Sequence, residues 1–124
     1  MREDSPSQFV RFKPRAKPDA YAMALVLVEH VSHICEHGKA RPHLRHQLDR
    51  LATHAVLGLA RSDWDVAQNR WRHARRVLDL VRECGAILDI MVAQKAGPEP
   101  SLTDARQTAT ALARLLAAQG GMAG

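Results

Sequence analysis

Three histidines lie close together in the sequence at a spacing that could bind a metal ion. His30, His33 and His37 follow one another at offsets of three and four residues, which places side chains on one face of a helix. Cys35 and Glu36 lie between them, and both residue types ligate divalent metals. Further histidines lie in the next predicted helix: His43, His46 and His54. We favour the alternative, an exposed histidine-rich edge, because no second ligand cluster is obvious, and we expect neither a metal nor another cofactor.

Arginine is concentrated in one stretch of the chain that contains no lysine. Between Arg41 and Arg82 there are nine arginines against four aspartates. The planar guanidinium matches phosphate oxygens and carboxylates bidentately, so this pattern favours phosphate recognition or an ion-paired interface. The alternative is a solvated helix face enriched in arginine by a coding bias. The candidate nucleic-acid-binding residues here are Arg45, Arg50, Arg61, Arg70, Arg72, Arg75, Arg76 and Arg82.

Basic residues also alternate along the first 18 residues. Three prolines in this segment break any helix, which predicts a basic N-terminal arm rather than a packed element. The arm contains apolar anchors as well, at Phe9, Val10 and Phe12. It could be a terminus packed on its own domain, or a segment that binds RNA or a neighbouring subunit. Its candidate nucleic-acid-binding residues are Arg11, Lys13, Arg15 and Lys17.

No catalytic motif accompanies these charges. The sequence has no glycine-rich phosphate loop, no Gly-x-Ser-x-Gly elbow, no His-Glu-x-x-His and no pair of Glu-x-x-His segments. Trp64 and Trp71 lie seven residues apart, and we expect them to pack against the protein rather than stack on bases. Cys35 and Cys84 fall on apolar faces and are predicted to be free, unreactive thiols, the alternative being a disulfide or a reactive thiol. We therefore expect a protein that is not an enzyme.

The first two elements that must position the arginines are predicted helices. Asp19 is the predicted N-cap of helix 1 and Gly38 its C-cap, while Pro42 suits the first turn of helix 2. The apolar face of helix 1 is predicted to contain Tyr21, Ala24, Leu25, Val28, Val31, Ile34 and Cys35. That of helix 2 is predicted to contain Leu44, Leu48, Leu51, Ala55 and Leu59.

Two further helices complete the pattern. Ser62 with Asp65 resembles a capping box at the start of a helix 3 about 45 Å long, and Ser101 is the predicted cap of helix 4. The apolar positions of helix 3 are Ala67, Trp71, Ala74, Leu78, Val81, Gly85, Leu88 and Val92. Those of helix 4 are Leu102, Ala105, Ala109, Leu112 and Leu116. At Gly85 we expect either a close approach by a neighbouring backbone or a helix bend.

Composition agrees with an all-α fold. The chain of 124 residues is 46% hydrophobic but only 4% aromatic, which fits packed helices better than a sheet sandwich. We predict a basic arm at 1–18, an antiparallel four-helix bundle at 19–119 and a flexible tail at 120–124. The net charge of +5 favours a polyanion or an acidic protein surface as partner. No apolar run approaches the length of a membrane span and no signal-peptide core follows the start, so we expect a cytoplasmic protein.

The segment joining helices 2 and 3 resembles a known family of small four-helix bundles. The resembling residues are Gln47-Leu48-x-Arg50-x-Ala52, then Gly58-Leu59-Ala60-Arg61, then a Ser62-capped long helix with Arg70-Trp71 and Ala74. The family includes the ribosomal-RNA intervening-sequence proteins and the accessory variability determinant (Avd) of diversity-generating retroelements. The similarity, which includes the helix lengths and the proline-containing link into helix 2, covers residues 20–118.

Two stretches depart from the intervening-sequence members. Those usually carry Asn-Ile-Ala-Glu-Gly where this chain has Gly58-Leu59-Ala60-Arg61-Ser62, and Gly-Ser where it has Arg75-Arg76. An acidic residue is replaced by arginine and two more arginines appear, so the chain is more similar to the basic, Avd-like branch. That resemblance implies a barrel-shaped homopentamer that binds nucleic acid. It also implies association with the retroelement reverse transcriptase to support mutagenic, template-RNA-primed cDNA synthesis.

We therefore expect a non-catalytic, homo-oligomeric accessory protein that binds structured template RNA or DNA and a reverse transcriptase in mutagenic retrohoming. One alternative is a small helical nucleic-acid-binding subunit of a CRISPR effector complex, which would be monomeric on its own. Another is a metal-binding bundle ligated by His30, His33 and His37.

Overall fold

Four helices account for almost all of the described chain. The computed structural model describes residues 19–62 and 67–119, and the side chains of all of these except residues 62 and 67–71. Within these ranges there is no strand, and the helices are α1 (Ala20–His37), α2 (Pro42–Ser62), α3 (Ala67–Ala93) and α4 (Glu99–Gln119). The predicted arm, with Arg11, Lys13, Arg15 and Lys17, lies outside the described residues, as does the predicted tail.

The helices form a closed, antiparallel bundle. Each helix packs on the next one along the chain, and α1 also packs on α4. The backbone N–H of Lys39, between α1 and α2, donates to the carbonyl of Ala96, between α3 and α4. Both connections therefore lie at one end of the bundle, so α1 and α3 run in one direction and α2 and α4 in the other. The predicted all-α, four-helix fold is confirmed for the described residues.

The predicted apolar faces of α2 and α4 are confirmed, and that of α1 is confirmed in part. All the positions predicted for α4 are buried, and so are those of α2 apart from the half-buried Leu44. In α1 the prediction omitted Leu27, which is 1% exposed, and several of its positions are only half-buried: Tyr21, Leu25, Val28 and Cys35. The buried arc of α1 is rotated from the predicted stripe because α1 packs on α2 and α4 together.

The predicted apolar face of α3 needs correction. Val77 and Met91 are fully buried, although the predicted stripe did not contain them, and Cys84, which was predicted to lie on an apolar face, is fully buried too. Gly85 and Val92, which the stripe did contain, are half-buried. Because α3 packs on both α2 and α4, it buries a wider part of its surface than the single face predicted from apolar residues three and four positions apart. A Cβ atom on Gly85 would meet nothing within 4 Å, so no neighbouring backbone approaches there.

The ends of α1 follow the prediction, with a different reason for the glycine. Asp19 Oδ1 accepts the N–H of Tyr21 at 3.0 Å, and Gly38 donates its N–H to the Ile34 carbonyl at 2.7 Å. Gly38 has φ −90°, which is not a left-handed conformation. Glycine is required because a Cβ would lie 2.5 Å from the Ile34 carbonyl oxygen and 2.9 Å from that of Ala96.

The connection from α3 to α4 begins with a Schellman motif. Lys95 has φ 53° and donates its N–H to Val92, while Ala96 donates to the Met91 carbonyl. The left-handed position that glycine usually occupies is therefore taken by a lysine.

The predicted cap at Ser101 is wrong. α4 begins at Glu99, and the Pro98 carbonyl accepts the N–H of Leu102 at 3.0 Å. Pro100 is tolerated in the first turn because an N–H there has no partner within the helix. The predicted start of helix 3 at Ser62 is wrong as well, because Ser62 is the last residue of α2 and α3 is Ala67–Ala93; Asp65 lies outside the described residues.

Candidate nucleic-acid interface

A basic groove separates the C-terminal half of α2 from the N-terminal half of α3. Arg61 on α2 and Arg76 on α3 line it, and both are exposed. His54 and His73 add an imidazole from each helix, and the cavity measures about 200 Å³. None of the described residues that line this α2/α3 groove is acidic. Anionic groups are therefore the ligands that its electrostatics favour.

The floor of the α2/α3 groove is apolar. Gly58, Val77 and Leu80 lie along it, and Leu57 on its rim is 53% exposed. Glycine at position 58 lets α2 approach α3 closely, because a Cβ there would lie 2.7 Å from Val77 Cγ2. The sequence stretch Gly58-Leu59-Ala60-Arg61 thus contributes a close helix crossing, with the guanidinium of Arg61 one turn beyond it.

The arginines of α3 do not form one surface. Arg76 lines the α2/α3 groove, whereas Arg82 lines a second groove between α3 and α4. Arg72 and Arg75 are exposed near the start of the helix, and the side chain of Arg70 lies outside the described residues. The arginine-only stretch is contiguous in sequence, but its side chains turn to different sides of α3.

Arg45 and Arg50 lie near the other end of α2. Arg45 is half-buried, and its Nε is buried without a hydrogen-bond partner among the described residues. Arg50 is exposed and donates from Nη2 to Gln47 Oε1 at 3.0 Å. Neither residue lines the α2/α3 groove, although Arg50 shares a shallow depression on α2 with His46 and His54.

Three nitrogen-bearing side chains near the grooves were absent from the predicted nucleic-acid set. His73 on α3 faces His54 across the α2/α3 groove, while Arg106 and Arg114 on α4 line the groove beside α3. Arg106 Nε donates to Asp89 Oδ1 at 2.9 Å. The eight-residue spacing of Arg106 and Arg114 could have indicated a shared face of α4, but not which helix lies beside it.

The histidines of α1 make contacts other than metal ligation. The rings of His33 and His37 have centroids 4.4 Å apart, and His33 Nδ1 lies 2.9 Å from the hydroxyl of Ser101. His37 Nε2 lies 3.9 Å from Glu36 Oε1. Among the described residues no three histidine, cysteine or acidic side chains come together as a metal site, so His30 has no such partners.

Both cysteines are free thiols, as predicted. Burial and, to a smaller extent, the neighbouring carboxylate of Glu83 together raise the pKa of Cys84 from 9.0 to about 12. The pKa of Cys35 is also raised, mainly by burial and then by Asp49, while Arg45 lowers it in part. These thiols are therefore protonated near neutral pH and are poor nucleophiles.

No helix in the described parts of the chain is long and apolar enough to cross a membrane. Comparison with protein-family models and with curated proteins gave no match for the chain.

Proposed function

We propose that this protein binds structured RNA through the α2/α3 groove and acts as a non-catalytic accessory protein. The observation that carries the proposal is the pairing of Arg61 and Arg76 across a groove whose described lining contains no carboxylate. Guanidinium groups on both sides of a groove can each bind phosphate oxygens bidentately. Leu57, half-exposed on the rim, offers an apolar surface to a ribose or a base.

The net charge supports the same partner. A copy with formal charge +5 attracts a polyanion, and most of the affinity would come from phosphate contacts and counterion release. Arg72 extends the basic surface beyond the groove, and Arg50 could contact a longer RNA along α2. Such binding depends strongly on salt and little on base sequence.

The resemblance of residues 20–118 to the Avd-like branch supplies the setting that we propose. In it the chain forms a homopentameric ring with a formal charge of about +25, holds the template RNA and associates with a reverse transcriptase in the cytoplasm. Mutagenic cDNA synthesis would then be the chemistry of the reverse transcriptase. Supporting observations would be a reverse-transcriptase gene and paired variable and template repeats beside the gene of this protein, and co-purification of the two proteins.

RNA binding is tested by fluorescence anisotropy on a labelled RNA hairpin over a series of salt concentrations. The variant Arg61→Ala/Arg76→Ala should bind more weakly, and the slope of log affinity against log salt should fall by about 0.7–0.9 per lost phosphate contact. The matched control is Lys39→Ala/Arg41→Ala, which removes two exposed charges from the opposite end of the bundle. Absence of binding by the wild type at low salt, or an equal loss in both variants, would refute the proposal.

A further inference from the structure

A second basic groove lies between α3 and α4, and the proposed RNA binding in the α2/α3 groove gives it no role. It measures about 500 Å³, and Arg82 from α3 and Arg106 and Arg114 from α4 line it. Arg106 pairs with Asp89, the one acidic residue of the described lining, while no ion pair joins Arg82 or Arg114 to a described residue. This α3/α4 groove therefore has two arginines in excess of its carboxylate.

The shape of the α3/α4 groove favours a helix as its occupant. Most of the side chains along its floor are small: Gly85, Ala86, Ala109, Ala113 and Ala117. Because helices approach each other more closely where the contacting side chains are short, a third helix can lie between α3 and α4. Gly85 adds room, since a Cβ there would meet nothing within 4 Å.

The outer face of α1 has the complementary charge. α1 contains two glutamates and neither lysine nor arginine, although the whole chain carries a net charge of +5. Glu29 and Glu36 are exposed, and Val26 is 41% exposed. With His33 these residues recur at steps of three, four and three, so they share one stripe, which we term the acidic face of α1.

The two surfaces match in length as well as in charge. Glu29 and Glu36 are seven residues apart, which is about 10.5 Å along a helix. Arg106 and Arg114 are eight residues apart, which is about 12 Å. An α1 helix lying along α4 could therefore place one glutamate beside Arg114 and the other near Arg106. Because Arg106 already pairs with Asp89, the excess positive charge that the contact uses is that of Arg82 and Arg114.

We infer that the acidic face of α1 packs into the α3/α4 groove of a second copy of this chain. One copy cannot make this contact by itself, because its α1 packs on α2 and α4 and the groove lies on the far side of α4. An RNA in the groove would leave the acidic face of α1 outside the contact, whereas a second copy uses both surfaces. The inference names the surfaces for the self-association within the proposed function, and it is tested separately from RNA binding.

This contact joins two different surfaces, and every copy has both of them: the acidic face of α1 and the α3/α4 groove. Such a heterologous contact extends from copy to copy and gives a ring where the rotation closes. The assembly should weaken as salt rises, because exposed arginine–carboxylate pairs contribute to it.

Charge reversal tests the pairing by sedimentation velocity. The wild type should sediment as a species larger than the 13.7 kDa monomer. The variants Arg82→Glu/Arg114→Glu and Glu29→Arg/Glu36→Arg should each be monomeric at the same concentration. An equimolar mixture of the two should assemble again, as alternating chains or even-numbered rings, because each contact between the two variants joins opposite charges.

The control Arg50→Glu/Arg72→Glu makes an equal change in charge outside the α3/α4 groove and should leave the mass unchanged. Circular dichroism checks that each variant is helical, and Arg82→Gln/Arg114→Gln replaces a variant that fails to fold. A monomeric wild type, an oligomer that survives the reversals, or a mixture that stays monomeric would each overturn the inference. RNA binding by Arg61→Ala/Arg76→Ala is read independently, so either proposal can fail alone.

Discussion

Gly58 of α2 lies directly against Val77 of α3, so that a Cβ on the glycine would be 2.7 Å from Val77 Cγ2. Val77 is 1% exposed and belongs to the core. Arg76 precedes Val77 in the chain, and Arg61 follows Gly58 by three residues. The contact that brings the two helices together therefore also sets the separation of the two arginines in the α2/α3 groove.

Replacing Gly58 by alanine tests this contact. A β-branched side chain has little rotamer freedom in a helix, so Val77 cannot easily move away. Overpacking costs about 1–3 kcal/mol and alanine recovers about 1 kcal/mol of helix propensity. We expect Gly58→Ala to lower the free energy of unfolding by about 1 kcal/mol in urea denaturation.

Gly85→Ala is the matched control for that substitution. It also replaces a helical glycine, but the new Cβ meets nothing within 4 Å, so stability should rise by about 0.5–1 kcal/mol. In a Val77→Ala background, Gly58→Ala should no longer be destabilising. Equal effects of the two glycine substitutions would show that the close contact with Val77 is not the cause.

At Lys95 we expect a substitution by glycine to stabilise the protein. Its φ of 53° is left-handed, a conformation that costs a residue with a side chain about 1–2 kcal/mol and costs glycine little. Lys95→Gly should therefore raise the free energy of unfolding by about 1 kcal/mol. Ala93→Gly, two residues earlier in ordinary helical conformation, should lower it by about 0.5–1 kcal/mol. A destabilised Lys95→Gly variant would contradict the Schellman assignment.

The buried thiol of Cys84 predicts an alkaline loss of stability. Its pKa is raised from 9.0 to about 12 in the folded chain, so the folded state retains a proton that the unfolded state loses above pH 9. Stability should therefore fall between pH 9 and pH 12, by up to about 1.4 kcal/mol per pH unit from this group.

The variant Cys84→Ala isolates this contribution. Denaturation midpoints of the variant and the wild type, compared between pH 8 and pH 10.5, should converge as the pH rises. The half-buried Cys35 gives a second comparison, because removing its thiol should change the dependence of the denaturation midpoint on pH less than removing that of Cys84. Parallel pH profiles of wild type and Cys84→Ala would count against a buried, protonated thiol.

Local sequence rules succeeded where one helix face meets one part of the core. In α4 the predicted positions Leu102, Ala109 and Leu116 all proved buried, and at Asp19 the cap hydrogen bond forms as expected. The rules were less accurate for α3, where Val77 and Met91 are buried although the predicted stripe omitted them, and Gly85, which the stripe contained, is half-buried. A helix packed on two neighbours buries much of its circumference, and the spacing of apolar residues in the sequence does not say which side each neighbour covers.

For the candidate interface too, the sequence reveals one part and the tertiary structure another. That arginines crowd the segment from Arg41 to Arg82 is evident from the sequence. Their six-residue spacing places Arg76 and Arg82 about 120° apart around α3, but only the packing shows that one faces α2 and the other α4. His73 and Arg114 likewise became candidates through their neighbours in space.

The sequence by itself determined the helices, most of their boundaries and the basic character of the chain, because propensity, capping and the three-four period act over a few residues. The tertiary structure alone decided which cations share a groove and why Gly38 and Gly58 must lack side chains. Those properties depend on the distances between separate helices, such as the approach of Ala96 to Gly38. Such distances result from packing the whole core, which no local segment of the sequence encodes.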